Sequence, residues 1–225
     1  LLVESGWAES AEAAAAGPIP LVVVPRTRAA LGALAHWHRQ RLAARVVAVT
    51  GSNGKTTTKE LLAAALGHFG PTHRTLGNFN NDIGLPLSLL GLSADHHYAV
   101  LELGTSAPGE IAHLAALALP EVGILTCVAP AHTAGLGDVD GVARAKGELY
   151  EALPASGVAV VNADDPRVLV QAARTSARRV LFGASPSADV RILSAQASAG
   201  PGQGAAGTLL VDGQELSIQT RLLGA

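Results

Sequence analysis

Two hydrophobic rhythms alternate along most of the chain. From Arg45 onward, short apolar runs rich in β-branched residues are followed by segments of about ten residues with apolar positions at helical spacing. The short runs are Val46–Thr50, Tyr98–Leu103, Val122–Thr126, Val158–Val161 and Val180–Phe182. Between them, Thr56–Gly67, Gly109–Leu119, Asp140–Leu153 and Pro166–Ala173 predict helices. The strand runs are continuously apolar, so both faces of their sheet must be covered. This predicts an α/β fold, a mostly parallel sheet with helices on both faces.

The two ends break the rhythm. Trp7–Ala16 reads as a helix stopped by Gly17-Pro18, and Ile19–Val24 as a short strand ended by Pro25. Thr27 is the expected cap of a helix carrying Leu31, Leu34, Ala35, His38 and Leu42 on one face. His36 and His38 are two residues apart and do not share a helix face, which favours structural roles over a metal pair. Arg39, Arg41 and Arg45 read as a solvated helix end, with a domain junction dividing residues 1–44 from 45–225. Near the C-terminus, Asp189–Leu193 is a possible strand, and Ala195–Gly207, with four Gly and one Pro, reads as a loop. Thr208–Val211 and Glu215–Thr220 flank Asp212-Gly213 and predict a β-hairpin added antiparallel to the main sheet.

Composition narrows the class. The 225 residues are 48% hydrophobic and only 15% charged, which fits a globular chain with a sizeable core. A net charge of -2 gives no electrostatic case for nucleic acid or an anionic membrane. Cys127 is the single cysteine, so no intrachain disulfide forms and a reducing, cytoplasmic location is expected. No apolar run approaches the ~20 residues of a membrane span. The chain contains no Met, so a piece of a longer protein is expected.

The first strand–helix junction carries the strongest chemistry. Val46–Thr50 leads into Gly51-Ser52-Asn53-Gly54-Lys55-Thr56-Thr57, a tight glycine turn that delivers a lysine and threonines into a helix start. Backbone N–H groups and the positive helix end would hold an anion there. Lys55 would reach outer phosphates, and a threonine hydroxyl would hold Mg²⁺. The strict G-x-x-x-x-G-K-[ST] spacing fails, because Val49 stands at its first glycine.

Other groups are ambiguous singly. Glu102 ends an apolar strand and is either a metal ligand or a carboxylate satisfied by backbone N–H groups. His132 lies on the rim beyond a strand end, where a ligand would sit, although a lone loop histidine is more often structural. Lys146 borders the apolar stripe of Asp140–Leu153 beside Gly147; it either snorkels or is desolvated enough to react with CO₂. The stretch Gly77–Pro86, with Asn78, Asn80, Asn81 and Asp82, suits substrate hydrogen bonding or a plain turn. Asn162, in Asn162-Ala163-Asp164-Asp165-Pro166, belongs to a helix cap or faces an adenine edge.

Taken together and in order, these motifs resemble the Mur ligases of peptidoglycan synthesis. Gly51–Thr57 resembles the family's shortened phosphate loop, and Gly77–Pro86 the G-N-x-N-N-x-I-G-x-P of the branch that uses D-alanyl-D-alanine. Leu101-Glu102-Leu103-Gly104 with Gly109-Glu110-Ile111, Pro130-Ala131-His132, Ala143–Glu148 and Asn162–Pro166 also match. The resemblance covers about residues 20–225. It implies that Gly51, Ser52, Asn53, Gly54, Lys55, Thr56 and Thr57 bind ATP, with Asn162 near adenine. It implies one Mg²⁺ on Thr56 and Glu102 and a second held with help from His132 and a carbamylated Lys146. Lys55, His132 and Lys146 would serve catalysis, and Asn80 and Asn81 would lie near the acyl substrate.

The implied reaction is ATP-dependent joining of D-alanyl-D-alanine to a UDP-N-acetylmuramoyl-tripeptide through an acyl phosphate, by a monomer. Residues 1–44 would end a UDP-substrate domain, and 45–225 would form most of the ATP-binding domain. Thr105-Ser106-Ala107 departs from the Asn-His pair that many members of the resembled family carry there. Open alternatives are a sister ligase such as a folylpolyglutamate synthase, and a P-loop module that binds nucleotide without ligation.

Overall fold

A computed structural model describes residues 1–10, 19–131, 133–197 and 204–220. Its main body is a nine-stranded sheet. In chain order the strands are β3 (Arg45–Thr50), β4 (Thr72–Arg74), β5 (Tyr98–Glu102), β6 (Val122–Leu125), β7 (Val158–Asn162), β8 (Arg178–Gly183), β9 (Val190–Ala197), β10 (Ala205–Val211) and β11 (Gln214–Thr220). Their spatial order is β11-β10-β9-β8-β7-β6-β3-β5-β4. Neighbours from β4 to β9 are parallel, whereas β9, β10 and β11 pair antiparallel. A separate parallel pair joins β1 (Leu2–Val3) to β2 (Val22–Val23).

Both faces of the parallel part are covered, as its continuous apolar strands require. Val46 and Ala48 of β3 point into one core with Leu85, Leu89, Leu101, Ile111 and Leu114. Val47 and Val49 point to the opposite face, where Val100 and Ile124 meet Ala63 and Leu62. The first face is packed by α2 (Thr27–Arg39), α4 (Gly84–Leu90) and α5 (Glu110–Ala118); the second by α3 (Lys55–Leu66). Further along, α7 (Val139–Glu151) and α8 (Pro166–Ala172) pack together, with Tyr150, Val161 and Val168 in a third cluster. The short α1 (Ser5–Ala8) and α6 (Thr133–Leu136) complete the described helices.

Local chemistry explains several boundaries. Asp165 caps α8 by accepting from the N–H groups of Arg167 and Val168, with Pro166 opening the helix. Asp212 and Gly213 both have positive φ, 48° and 77°, as the two-residue hairpin turn between β10 and β11 demands.

Other expectations need correction. Thr27 does not cap α2; the cap position is Arg26, and Thr27 instead donates from its N–H and Oγ1 to Glu4. Arg39 is not solvated: it is buried and donates to the carbonyls of Ala118 and Leu42. The glycine content of Ala195–Gly207 does not prevent pairing, since Ala195–Ala197 extend β9 and Ala205–Gly207 open β10. Of the expected helix Trp7–Ala16, only Trp7 and Ala8 fall in α1, and residues 11–16 lie outside the described residues. His36 and His38 reach the carbonyls of Leu117 and Leu92, which are structural contacts.

Candidate functional site

The strand order reverses around β3, with β5 on one side and β6 on the other. Ligands of such sheets bind beyond the carboxyl ends of the strands at this switch. Buried Thr50 ends β3 and donates from its hydroxyl to the Leu103 carbonyl at 2.9 Å, tying the exits of β3 and β5 together. The chain then turns sharply. A Cβ at Gly51 would run into the Thr126 hydroxyl, so no larger residue fits between β3 and β6. Gly54 adopts φ +79°, a left-handed conformation favourable to glycine, immediately before α3.

The loop is sewn to the exit of β6. Ser52 donates its N–H to the Cys127 carbonyl and its Oγ to the Ala129 carbonyl, each at 2.9 Å. Thr126 Oγ1 donates to the Asn53 carbonyl at 2.6 Å. Lys55 folds back to donate to the Gly51 carbonyl at 2.9 Å. The fixed loop leaves the first N–H groups of α3 without intrahelical acceptors, and the positive end of the helix faces the same way. An anion is the ligand this end is built for. Thr57 is exposed on the first turn of α3.

Glu102 lies beside this helix start and is only 3% exposed. Its Oε2 accepts from Thr56 Oγ1 and its Oε1 from Asn80 Nδ2, both at 2.8 Å. Among the described residues no cationic side chain pairs with it. Neutral donors orient the carboxylate without neutralising it, which is expensive for a buried charge. A hard oxygen donor set at a phosphate loop fits a divalent cation such as Mg²⁺. Thr56 and Glu102, expected to share a metal, are thus in direct contact. Asn80, expected near substrate, also grips Glu102, a link that its spacing in sequence does not reveal.

A cavity of about 810 Å³ opens in front of the loop. Ser52, Lys55, Asn80, Asn81, Glu110 and Lys146 are among its lining residues. Lys146 is 2% exposed, and burial first, then the nearby Lys55 charge, pulls its pKa down to about 8, with Cys127 opposing. Its neighbour Gly147 leaves room for the side chains of Gln171 and Arg174, which a Cβ there would displace. On the far wall, burial pushes the Glu110 carboxyl up. Donors from the N–H groups of Ser106 and Ala107 and the hydroxyls of Thr105 and Ser106 outweigh that and hold it below the usual range. These donors order the loop Thr105-Ser106-Ala107 around the Glu110 carboxylate.

The remaining candidates are more dispersed. Asn81 lines the cavity, but its Oδ1 is engaged by the N–H groups of Ile83 and Gly84 at the start of α4. Asn162 donates to the Thr126 carbonyl, behind the phosphate loop. His132 lies outside the described residues; Ala131 before it lines the cavity. Thr126 was missed as a loop-fixing residue, although a hydroxyl at the end of the strand beside a phosphate loop is a usable signal.

A glycine-turned loop, a helix start, and a buried carboxylate on the neighbouring strand define an α/β domain of the P-loop type. Residues 49–225 match the Mur ligase middle domain, and the chain belongs to that family. Over 147 residues it is 50% identical to the UDP-N-acetylmuramoyl-tripeptide--D-alanyl-D-alanine ligase of Escherichia coli K12, covering 65% of this chain and 32% of that enzyme. A crystal structure of MurF from Acinetobacter baumannii superposes with TM-score 0.84 at 33% identity, over 99% of this chain and 47% of that one. The MurF ligase of Thermotoga maritima, solved in complex with ADP, superposes with TM-score 0.81 at 28% identity, over 90% of this chain and 46% of that one. The chain therefore spans about a third to a half of the length of these relatives.

Proposed function

We propose that this chain forms the ATP-binding part of a ligase that joins D-alanyl-D-alanine to a UDP-N-acetylmuramoyl-tripeptide. The observation that carries the reading is the contact of Thr56 and Asn80 with the buried Glu102, at a loop whose Lys55 lines one cavity with Asn80 and Lys146. The similarity to ligases of that name supports the choice of substrates. The loop Gly51–Thr57 holds the ATP phosphates, and Lys55 swings from the Gly51 carbonyl to the outer phosphates. Asn162, whose Nδ2 donates to the Thr126 carbonyl and whose Oδ1 accepts from the Asp164 N–H, meets adenine with its second amide hydrogen. Thr56 and Glu102 hold one Mg²⁺, which supplies charge neutralisation along the phosphates when bound.

The peptide carboxylate enters over Asn80 and Asn81 and attacks the γ-phosphorus in line. The bond to the β-phosphate oxygen breaks, ADP leaves, and an acyl phosphate remains. The amine of D-alanyl-D-alanine then attacks the acyl carbon, loses a proton, and inorganic phosphate departs. Lys55 follows the charge on the moving phosphoryl group, so no side-chain nucleophile is needed. A lysine whose pKa lies near 8 is partly neutral at physiological pH. Lys146 then adds through Nζ to CO₂ and releases a proton, and the carbamate, with His132, offers oxygen and nitrogen ligands to a second Mg²⁺. Residues 1–44 would end the domain that receives the UDP moiety. UDP-linked substrates, ATP and the lone cysteine suit the cytoplasm.

The test is ADP release from the purified ligase with the UDP-linked tripeptide and a panel of amines. D-alanyl-D-alanine should be the amine that drives turnover, and Lys55→Ala should lower it by about a hundredfold to a thousandfold. Normal turnover in Lys55→Ala would sink the phosphate-loop assignment. Preference for glutamate or a diamino acid would point to a sister ligase, and nucleotide binding with no ADP release to a non-catalytic module.

A further inference from the structure

Lys59, one turn after Lys55 on α3, takes no part in the chemistry above, yet it is completely buried. Its Nζ donates to the Thr75 carbonyl at 2.8 Å and pairs with Glu60 at 3.1 Å. Thr75 is also completely buried and follows the last residue of β4. Its N–H donates to the Val100 carbonyl at 3.1 Å, continuing the parallel ladder in which Arg74 faces Val100. In an unbroken parallel ladder, the N–H of Glu102 would next reach the Thr75 carbonyl. Here that carbonyl is turned to Lys59, and the Glu102 N–H donates to Thr75 Oγ1 at 3.0 Å instead.

The substitution of a hydroxyl for a carbonyl has a geometric result. The main chain leaves the sheet at Thr75 without leaving the Glu102 N–H unpaired. Five residues later it returns Asn80 over Glu102, where Asn80 Nδ2 holds the carboxylate and the Asn80 carbonyl accepts from Gly104 at 2.8 Å. Glu102 is thereby held at its N–H by Thr75, at Oε1 by Asn80 and at Oε2 by Thr56. Helix α3 supplies both Thr56 and the lysine that turns Thr75.

We propose that Lys59 and Thr75 are positioning residues for Glu102: Lys59 turns the Thr75 carbonyl out of the sheet so that the Thr75 hydroxyl fixes the backbone of the metal-holding carboxylate. The inference rests on the assignment of Glu102 as a Mg²⁺ ligand. Neither residue lines the cavity, so the effect is on the placement of the carboxylate, in the way outer partners tune metal ligands.

The experiment measures Mn²⁺ uptake by the purified protein with ADP, from the electron paramagnetic resonance signal of free Mn²⁺, alongside urea unfolding. Thr75→Val removes the hydroxyl at nearly constant shape and should weaken Mn²⁺ binding about tenfold, with ADP binding in the absence of metal unchanged. Thr75→Ser, which keeps the hydroxyl, should restore it. Lys59→Met should weaken Mn²⁺ in the same direction, and it decides the question if Thr75→Val does not fold. A loss of stability with unchanged Mn²⁺ affinity would mean a merely structural role and would overturn the proposal, as would failure of Thr75→Ser to restore binding. Glu102→Gln separates the two claims. If it leaves Mn²⁺ uptake intact, the metal assignment falls and this inference with it. If it weakens uptake while Thr75→Val and Lys59→Met do not, only the positioning role falls.

Discussion

Two lysines of this domain are buried almost equally, at 0% and 2% exposure, in opposite circumstances. Lys59, on α3, delivers its ammonium to a backbone carbonyl and to Glu60, which Arg74 also holds at 2.8 Å. Lys146, on α7, has no hydrogen bond or ion pair to another described residue, faces a cavity, and lies in the field of Lys55. Burial of an ammonium is tolerable when hydrogen bonds replace its water, and otherwise it favours the neutral amine. One lysine's polar end is therefore satisfied within the fold, and the other is pushed by burial toward the neutral amine that the proposed carbamylation uses. Degree of burial alone does not distinguish them; the acceptors around each do.

The largest effect should come from breaking the satisfied member. Lys59→Met leaves the Thr75 carbonyl buried without its donor and releases Glu60 from one of its two cations. Roughly 3 kcal/mol of stability should be lost, the scale for opening a buried charge-assisted contact. Urea unfolding of the variant against the parent measures it. A loss below about 1 kcal/mol would place Lys59 with ordinary surface lysines and dissolve the contrast.

That contrast was only half visible in the sequence. Lys146 stood out because it borders an apolar stripe and precedes a glycine, two local signals. Lys59 follows a phosphate loop whose own lysine draws attention, and its partner Thr75 is sixteen residues away, just past a three-residue strand without a hydrophobic run. The parallel core was legible for the same reason: Val46–Thr50 and Tyr98–Leu103 carry their burial in their own composition. Contacts such as Asn80 to Glu102 or Thr126 to Asn53 join residues 22 and 73 apart, and only the packed chain brings them together. Thr27 illustrates the reverse error. A threonine at a helix start normally caps, but Glu4 offered both its donors a charged acceptor, and a carboxylate partner outcompetes a local turn.

Removing the unsatisfied lysine should act in the opposite direction. Its pKa falls from 10.5 to about 8 on folding, so the unfolded chain holds the proton more tightly. The destabilising cost is present in full below pH 8 and fades as pH rises from about 8 toward 10.5. In CO₂-free buffer at pH 7, Lys146→Met should therefore be more stable than the parent by roughly 2 kcal/mol, while ligation is lost. The parent should gain on the variant as pH rises through that window. Equal pH slopes in the two proteins would show that Lys146 is not desolvated, and a ¹³CO₂ carbamate signal that persists in Lys146→Met would assign the adduct elsewhere.

The smallest effect tests what keeps Lys146 dry. Glu148, half a turn further along α7, accepts from the N–H groups of Gly109 at 2.8 Å and Ala112 at 3.0 Å. It clamps α7 to the positive start of α5, where a carboxylate is favoured twice, by hydrogen bonding and by the helix dipole. Glu148→Gln keeps the shape but removes the charge and one acceptor, so about 1 kcal/mol of stability should go. The more telling change is at Lys146. A looser seam between α5 and α7 admits water to the cavity wall, and the Lys146 pKa should move from about 8 back toward 10.5. Titration of ¹⁵N-labelled lysine side chains reads this directly. A destabilised Glu148→Gln protein in which Lys146 titrates unchanged would mean that the desolvation comes from the packing of α7 against α8 around Gly147 rather than from the clamp to α5.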